Sequence, residues 1–307
     1  MTRSTFAAAL LALLPLFSYA GEKEWKAFVA EGKELAAAKK FEDAEKKFRS
    51  ALKEAERWSA TDERLSTTLT DLADSLRGQK KLAEAAPQYE RALEVLEKGL
   101  GADDPAVAGL VADVADVYRD MDKDAKAEPL YKRALKIVEA SAGKDDPETG
   151  RYALDYGECL LRLKKLKDAE VQLKRALEIQ KGAKEQDAQD LADAESAMGA
   201  LRMAQAKHAD AEGHYQRAAD GLEGAKANPL DVAGARRDLG GALSAGGKLD
   251  EAAAEYAKAI AILEKTDNGA QDLADTLEEW AAVLKKQKKD EEAAKAEARA
   301  KELRAAK

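Results

Sequence analysis

One short pattern recurs along this chain: an alanine, a large residue four positions on, and a second alanine three further. It reads Ala44-Phe48-Ala51, Ala85-Tyr89-Ala92, Ala127-Tyr131-Ala134, Ala169-Leu173-Ala176, Ala211-Tyr215-Ala218 and Ala252-Tyr256-Ala259, with a degenerate seventh copy at Ala293-Glu297-Ala300. Successive first alanines lie 41, 42, 42, 42, 41 and 41 residues apart. Offsets of four and three put the three side chains on one face of a helix. A period this regular allows only a tandem array, in which each unit covers the apolar face of the next.

A second pattern precedes the first by about one helix length. It is seen in Leu69, Leu72, Ala73 and Leu76, in Val111, Val114, Ala115 and Tyr118, and in Leu277, Trp280, Ala281 and Leu284. Each unit is therefore helix, turn, helix, and the expected repeats span about 25–58, 66–99, 108–141, 150–183, 192–225, 233–266 and 274–307. Small residues (Ala73, Gly157, Gly199, Gly240) are expected where two helix backbones approach, and the large Phe, Tyr or Leu is expected to fill the gap toward the next unit. Apolar residues make up 45% of the chain, much of it alanine, while aromatics are only 5%. That composition favours helix and lacks β-branched and aromatic strand runs. Asp104-Pro105, Asp146-Pro147 and Asn228-Pro229 each place a capping side chain before a proline suited to the first helical turn. The last helix carries Glu297 where a large apolar residue is expected, as suits a repeat with one face in solvent.

These features resemble the tetratricopeptide repeat family, in its longer-period form typified by kinesin light chains. The third unit shows the likeness best, in Gly101-Ala102-Asp103-Asp104-Pro105-Ala106-Val107-Ala108 and Ala127-Glu128-Pro129-Leu130-Tyr131-Lys132-Arg133-Ala134-Leu135. The resemblance implies an all-α fold, an α-solenoid wound as a right-handed superhelix of about seven repeats. It also implies a non-catalytic scaffold that binds a protein or peptide on its inner surface, lined by the first helix of each repeat. On that surface the candidate residues are Thr70, Asp71, Asp74, Arg77, Asp113, Asp116, Arg119, Asp155, Glu158, Arg162 and, more weakly, Asp238.

Two readings of this acidic stripe stay open. It is either a solvated face with Asp74–Arg77 and Asp116–Arg119 pairs three residues apart, or a negative groove selecting a basic or mixed-charge partner. Kinesin-like relatives often carry asparagine here; a carboxylate only accepts hydrogen bonds, so the family's usual peptide mode does not transfer directly. A structural role, in which the chain self-associates through its terminal repeats, is the alternative function.

Net charge is −8, and one unit more negative without Arg3, which argues against nucleic acid as a partner. Lys285-Lys286-Gln287-Lys288-Lys289 is expected at a turn, with no interleaved aromatic for base stacking. No phosphate-cradling loop, zinc motif or nucleophile elbow is present, so no catalytic, cofactor or metal residue is expected. His208 and His214 read as surface or interface residues, and Cys159 as a buried structural thiol. The first twenty residues read as an export signal: Arg3, the apolar stretch Phe6 to Phe17, then Ser18-Tyr19-Ala20 before cleavage after Ala20. The expected destination is the periplasm or the cell exterior, with no membrane span once the signal is removed; an uncleaved N-terminal anchor is the alternative.

Overall fold

The computed structural model describes residues 5–305, with side chains described from Gly21 onward. Arg3 and the side chains of the expected signal segment lie outside the described residues. Fourteen helices form seven consecutive pairs, and no strand occurs among the described residues. The pairs are α1 (Thr5–Ala37) and α2 (Phe41–Ala55), α3 (Glu63–Gly78) and α4 (Leu82–Leu100), α5 (Val107–Asp120) and α6 (Asp124–Ser141), α7 (Pro147–Arg162) and α8 (Leu166–Gly182), α9 (Ala188–Ala204) and α10 (His208–Ala225), α11 (Pro229–Ala245) and α12 (Leu249–Leu263), and α13 (Ala270–Lys286) and α14 (Asp290–Ala305). The chain divides into two compact units, one ending at Ser141 with α1–α6 and one beginning at Ala142 with α7–α14. Within each unit every helix packs on the next, and neighbouring odd-numbered helices also touch, as α1 does α3 and α9 does α11.

All fourteen alanines of the recurring pattern have no accessible surface. The large residue between them packs across the small residue on the first helix of its own repeat as well as toward the next unit, where Leu173 shares a core cluster with Met198 and Leu201 of α9. A β-carbon built on Gly32 would lie 2.6 Å from the Phe48 ring, and one on Gly199 would lie 2.8 Å from the Tyr215 ring. Ring and backbone face each other within a pair, and that close approach is what demands glycine or alanine there. In the seventh repeat Glu297 instead reaches solvent and pairs with Lys285.

The turn inside each repeat repeats as strictly as the core. Lys39, Lys80, Asp122, Lys164, Ala206, Gly247 and Lys288 each take the left-handed conformation, and only one of the seven is glycine. The next residue is a lysine every time. Its N–H closes on the carbonyl five residues back, from Lys40 to Leu35 at 2.9 Å through Lys289 to Leu284 at 2.9 Å. This is the glycine-type helix stop, executed mostly without glycine. Of the basic run at 285–289, expected at a turn, Lys285 and Lys286 end α13 and Gln287–Lys289 form the turn.

Helix starts follow the capping residues. Asp146 accepts from the Glu148 N–H at 2.9 Å and Asn228 from the Leu230 N–H at 3.0 Å, and both helices open on the following proline. Asp104 caps the Ala106 N–H at 2.9 Å, just ahead of α5. Asp62 and Asp187 cap α3 and α9 without a proline. Trp25 ties the first pair to the second, its indole N–H donating to Thr68 Oγ1 at 2.8 Å.

Candidate partner-binding surface

In the first unit, α3 and α5 bring Asp71, Asp74, Asp113 and Asp116 onto one surface. Asp71 and Asp113 hold the same position in their repeats, two residues before the small Ala73 and Ala115. Asp71 is 16% exposed, and its Oδ2 is buried and accepts no hydrogen bond. The nearest cation, Lys33 on α1, stops at 3.5 Å. Burial pushes the Asp71 carboxyl up to about 6, with Asp74 adding and Lys33 opposing. Asp113 makes no hydrogen bond or ion pair among the described residues. Burial also raises it to about 6, with Asp74 and Asp116 adding and Arg77 opposing.

Asp74 is open to solvent yet also raised, first by desolvation and against the Tyr89 hydroxyl and Arg77. Water reaches such a group from one side while protein crowds the others, as in a recess. Tyr89 donates to Asp74, and Tyr131 likewise donates to Asp116 from the next repeat. The buried Tyr89 and Tyr131 rings therefore end in hydroxyls on the candidate face, a link that sequence spacing did not reveal.

The arginines do not all pair as their spacing suggests. Arg119 meets Asp116 at 2.9 Å, as expected for residues three apart. Arg77 turns away from Asp74 and crosses to the next repeat, donating to Asp120 at 2.6 Å and approaching Asp116 at 3.6 Å. The cross-repeat carboxylate offers a direct hydrogen bond, which the residue on the same helix does not. Asp71, Asp74, Asp113, Asp116 and Asp120 outnumber Lys33, Arg77 and Arg119, so the face stays acidic.

Two recesses flank the carboxylates. One of about 220 Å³ lies between α3 and α5, floored by Leu96 and Leu110 and walled by Glu63, Thr70, Asp71 and Asp113. Thr70 itself is tied back to the Ser66 carbonyl at 3.1 Å. The other, of about 590 Å³, opens where α3 ends, against Phe41, Gly78 and Leu82, with Asp74 and Asp120 at its rim.

The remaining candidates belong to the second unit. Asp155 and Glu158 are half-buried on α7, and Arg162 is exposed at its end. On α9 the matching positions are Ala197 and Ala200, which interrupts the stripe. Asp238 on α11 is exposed and raised to about 6 by desolvation, with Glu279 adding and Arg237 opposing. Glu279 was not singled out in the sequence, although it lies one 41-residue period after Asp238 and accepts from the Tyr256 hydroxyl at 3.1 Å.

Among the described residues, no group of three His, Cys, Asp or Glu is placed to hold a metal ion. Cys159 is fully buried, as expected. His214, expected at a surface or interface, is half-buried between α9 and α10 and meets Glu195 at 2.6 Å.

The tetratricopeptide repeat family model matches residues 35–98 and 107–182. These are tetratricopeptide repeats. The same helix pairing and turn register continue to α14, so the tetratricopeptide pattern runs on beyond the matched residues. A search of curated proteins found no match. Among solved structures, BtubC (BKLC) from P. vanneervenii is 20% identical with a TM-score of 0.57, over 79% of this chain and 91% of its own. A Podosopora anserina protein of nearly identical, kinesin-light-chain TPR-like repeats is 16% identical with a TM-score of 0.57, over 68% of this chain and 98% of its own. A tetratricopeptide repeat protein from Parabacteroides merdae is 16% identical with a TM-score of 0.60, over 92% of this chain and 93% of its own. At these identities the likeness is one of fold, including the kinesin-light-chain type of repeat. Tetratricopeptide arrays bind protein or peptide partners, and the fold here is that of such a scaffold. Among the described residues, no helix is long and apolar enough to cross a membrane.

Proposed function

We propose that this protein is an exported, non-catalytic scaffold whose α3–α5 face binds a basic segment of a partner protein. The observation that carries the reading is Asp113, half-buried and without a hydrogen bond or ion pair among the described residues, beside Asp71, whose Oδ2 accepts no hydrogen bond there and has Lys33 only at 3.5 Å. A lysine or arginine side chain of the partner lays its methylenes on Leu96 and Leu110 and brings its charge between these two carboxylates. The recess at Phe41 and Leu82 takes a neighbouring apolar side chain. Export rests on Arg3, the apolar run Phe6 to Phe17 and the small residues Ser18 and Ala20.

The test is a fluorescence-anisotropy titration of residues 21–307 with a labelled lysine- and leucine-containing nonapeptide and its glutamate-for-lysine counterpart. The basic peptide should bind, lose affinity as salt rises, and bind about tenfold more weakly to an Asp71→Asn/Asp113→Asn variant. Equal binding of both peptides, or of both proteins, would remove the groove from the function. For export, mass spectrometry of the protein made in its own cells should find a mature chain starting at Gly21 outside the cytoplasm.

A further inference from the structure

The second unit carries two buried ionic centres at a position that is apolar in the other repeats. Leu69, Val111, Ala153 and Leu277 occupy it on α3, α5, α7 and α13, all buried. On α9 the position is Glu195, 2% exposed, and on α11 it is Arg236, 6% exposed. Glu195 receives Lys181 from α8 at 2.7 Å, His214 from α10 at 2.6 Å, and both Nε and Nη2 of Arg217 at 2.9 Å. Those donors hold its carboxyl down at about 2, against burial. Arg236 donates to Asp220 of α10 at 3.0 Å, to Glu223 of α10, and to Glu255 of α12 at 3.2 Å. Lys258 closes the second centre on Glu255 at 2.7 Å.

The two centres are inversions of each other in the repeat register. Glu195 corresponds to Arg236, Lys181 to Glu223, and His214 to Glu255, while Arg217 corresponds to Lys258 and Glu178 to Asp220. Each centre joins three helices: the second helix of the preceding repeat and both helices of its own. If α11 were seated on α8, Arg236 would meet Lys181 where it now meets Glu223. If α9 were seated on α10 in the place of α11, Glu195 would meet Asp220 and Glu223. A buried charge facing a like charge is far costlier than an apolar mismatch, so the wrong stackings are excluded while the native one satisfies both centres.

We propose that Glu195 and Arg236 are order keys, which favour the sequential stacking of repeats four, five and six, alike in helix register and in their buried alanines, and oppose skipping or exchange of repeats during folding. Misassembly and swapping of units are characteristic failure modes of repeat proteins. The keys act where the sequence is otherwise least distinctive, on alanine-rich α9 and α11.

The decisive variant makes the two keys alike without breaking their bonds. Lys181→Glu, Glu195→Arg and His214→Glu together convert the fifth-repeat centre into a copy of the sixth, with Glu178 and Arg217 already in place. Residues 21–307 of this variant and of the wild type are diluted from urea at matched concentrations and analysed by size-exclusion chromatography with light scattering. The variant should keep the wild-type urea midpoint yet yield several-fold more misassembled and oligomeric material on refolding. Refolding as cleanly as the wild type would overturn the proposal. If the triple variant does not fold, Glu195→Leu/Arg236→Leu decides in the same assay. Loss of refolding fidelity in that variant supports the keys, and a clean wild-type profile overturns them.

Discussion

At Gly157 a β-carbon would lie 2.5 Å from Leu173 Cδ2, whereas at Gly221 nothing comes within 4 Å of one. The two glycines sit in helices α7 and α10, so alanine has the same intrinsic helix advantage at both, about 0.5–1 kcal/mol. Gly221→Ala should therefore raise the urea midpoint, and Gly157→Ala should lower it through an overpacking cost of about 1–3 kcal/mol. Shifts of the same sign would refute the close-approach account. Ala206 offers the reverse case, a left-handed residue that is not glycine. Ala206→Gly should stabilise by about 0.5–1 kcal/mol, the relief of backbone strain exceeding the added entropy of the unfolded chain. Asp113 gives a pH signature. Its folded pKa of about 6 lies above that of an unfolded aspartate, so the fold prefers the protonated form. As pH rises from 4 to 6 the wild type should lose about 1 kcal/mol more stability than Asp113→Asn, after allowance for partial exposure, because Asp71 and Asp238 still titrate in the variant. Thermal melts of both proteins at pH 4 and pH 7 measure this directly; parallel curves would mean that Asp113 titrates normally.

Helix ends and seams divide into those that local chemistry announces and those that only the third dimension reveals. Asn228 caps Leu230 ahead of Pro229, and Asn228→Ala should cost about 0.5–2 kcal/mol in chemical denaturation. That cap, the alanine register and the turn at Gln287–Lys289 were legible in the chain because each is fixed by residues close together in sequence. The direction of the Tyr89 and Tyr131 rings was not, since a large residue at that spacing can face either neighbouring helix. Nor were Glu195 and Arg236 visible as buried. In α9 and α11 they stand among other charges, and only alignment at the 41- to 42-residue period places them in the column of Leu69 and Leu277. The candidate carboxylates were legible as a stripe. Their pairing was not, because Arg77 bonds Asp120, 43 residues away, and spacing rules reach only along one helix.

Across the molecule, stability should fall off toward the C-terminal end of the array. Helix α14 buries only Ala293, Ala296 and Ala300, whereas α12 buries Tyr256, Ile260 and Leu263 beside its alanines. In an array stabilised by nearest neighbours, such an end opens before the interior. Amide hydrogen exchange should therefore be fastest, among the second helices of the second unit, in α14; equal protection of α12 and α14 would contradict nearest-neighbour stability. The tyrosines add something of a different kind. Tyr89, Tyr131 and Tyr256 each have a ring in the core and a hydroxyl held by a carboxylate on the odd-helix face. A tyrosine bound to a carboxylate absorbs and emits differently from one that is not. A ligand that drew those carboxylates to itself would therefore change the ultraviolet signal of rings it never touches.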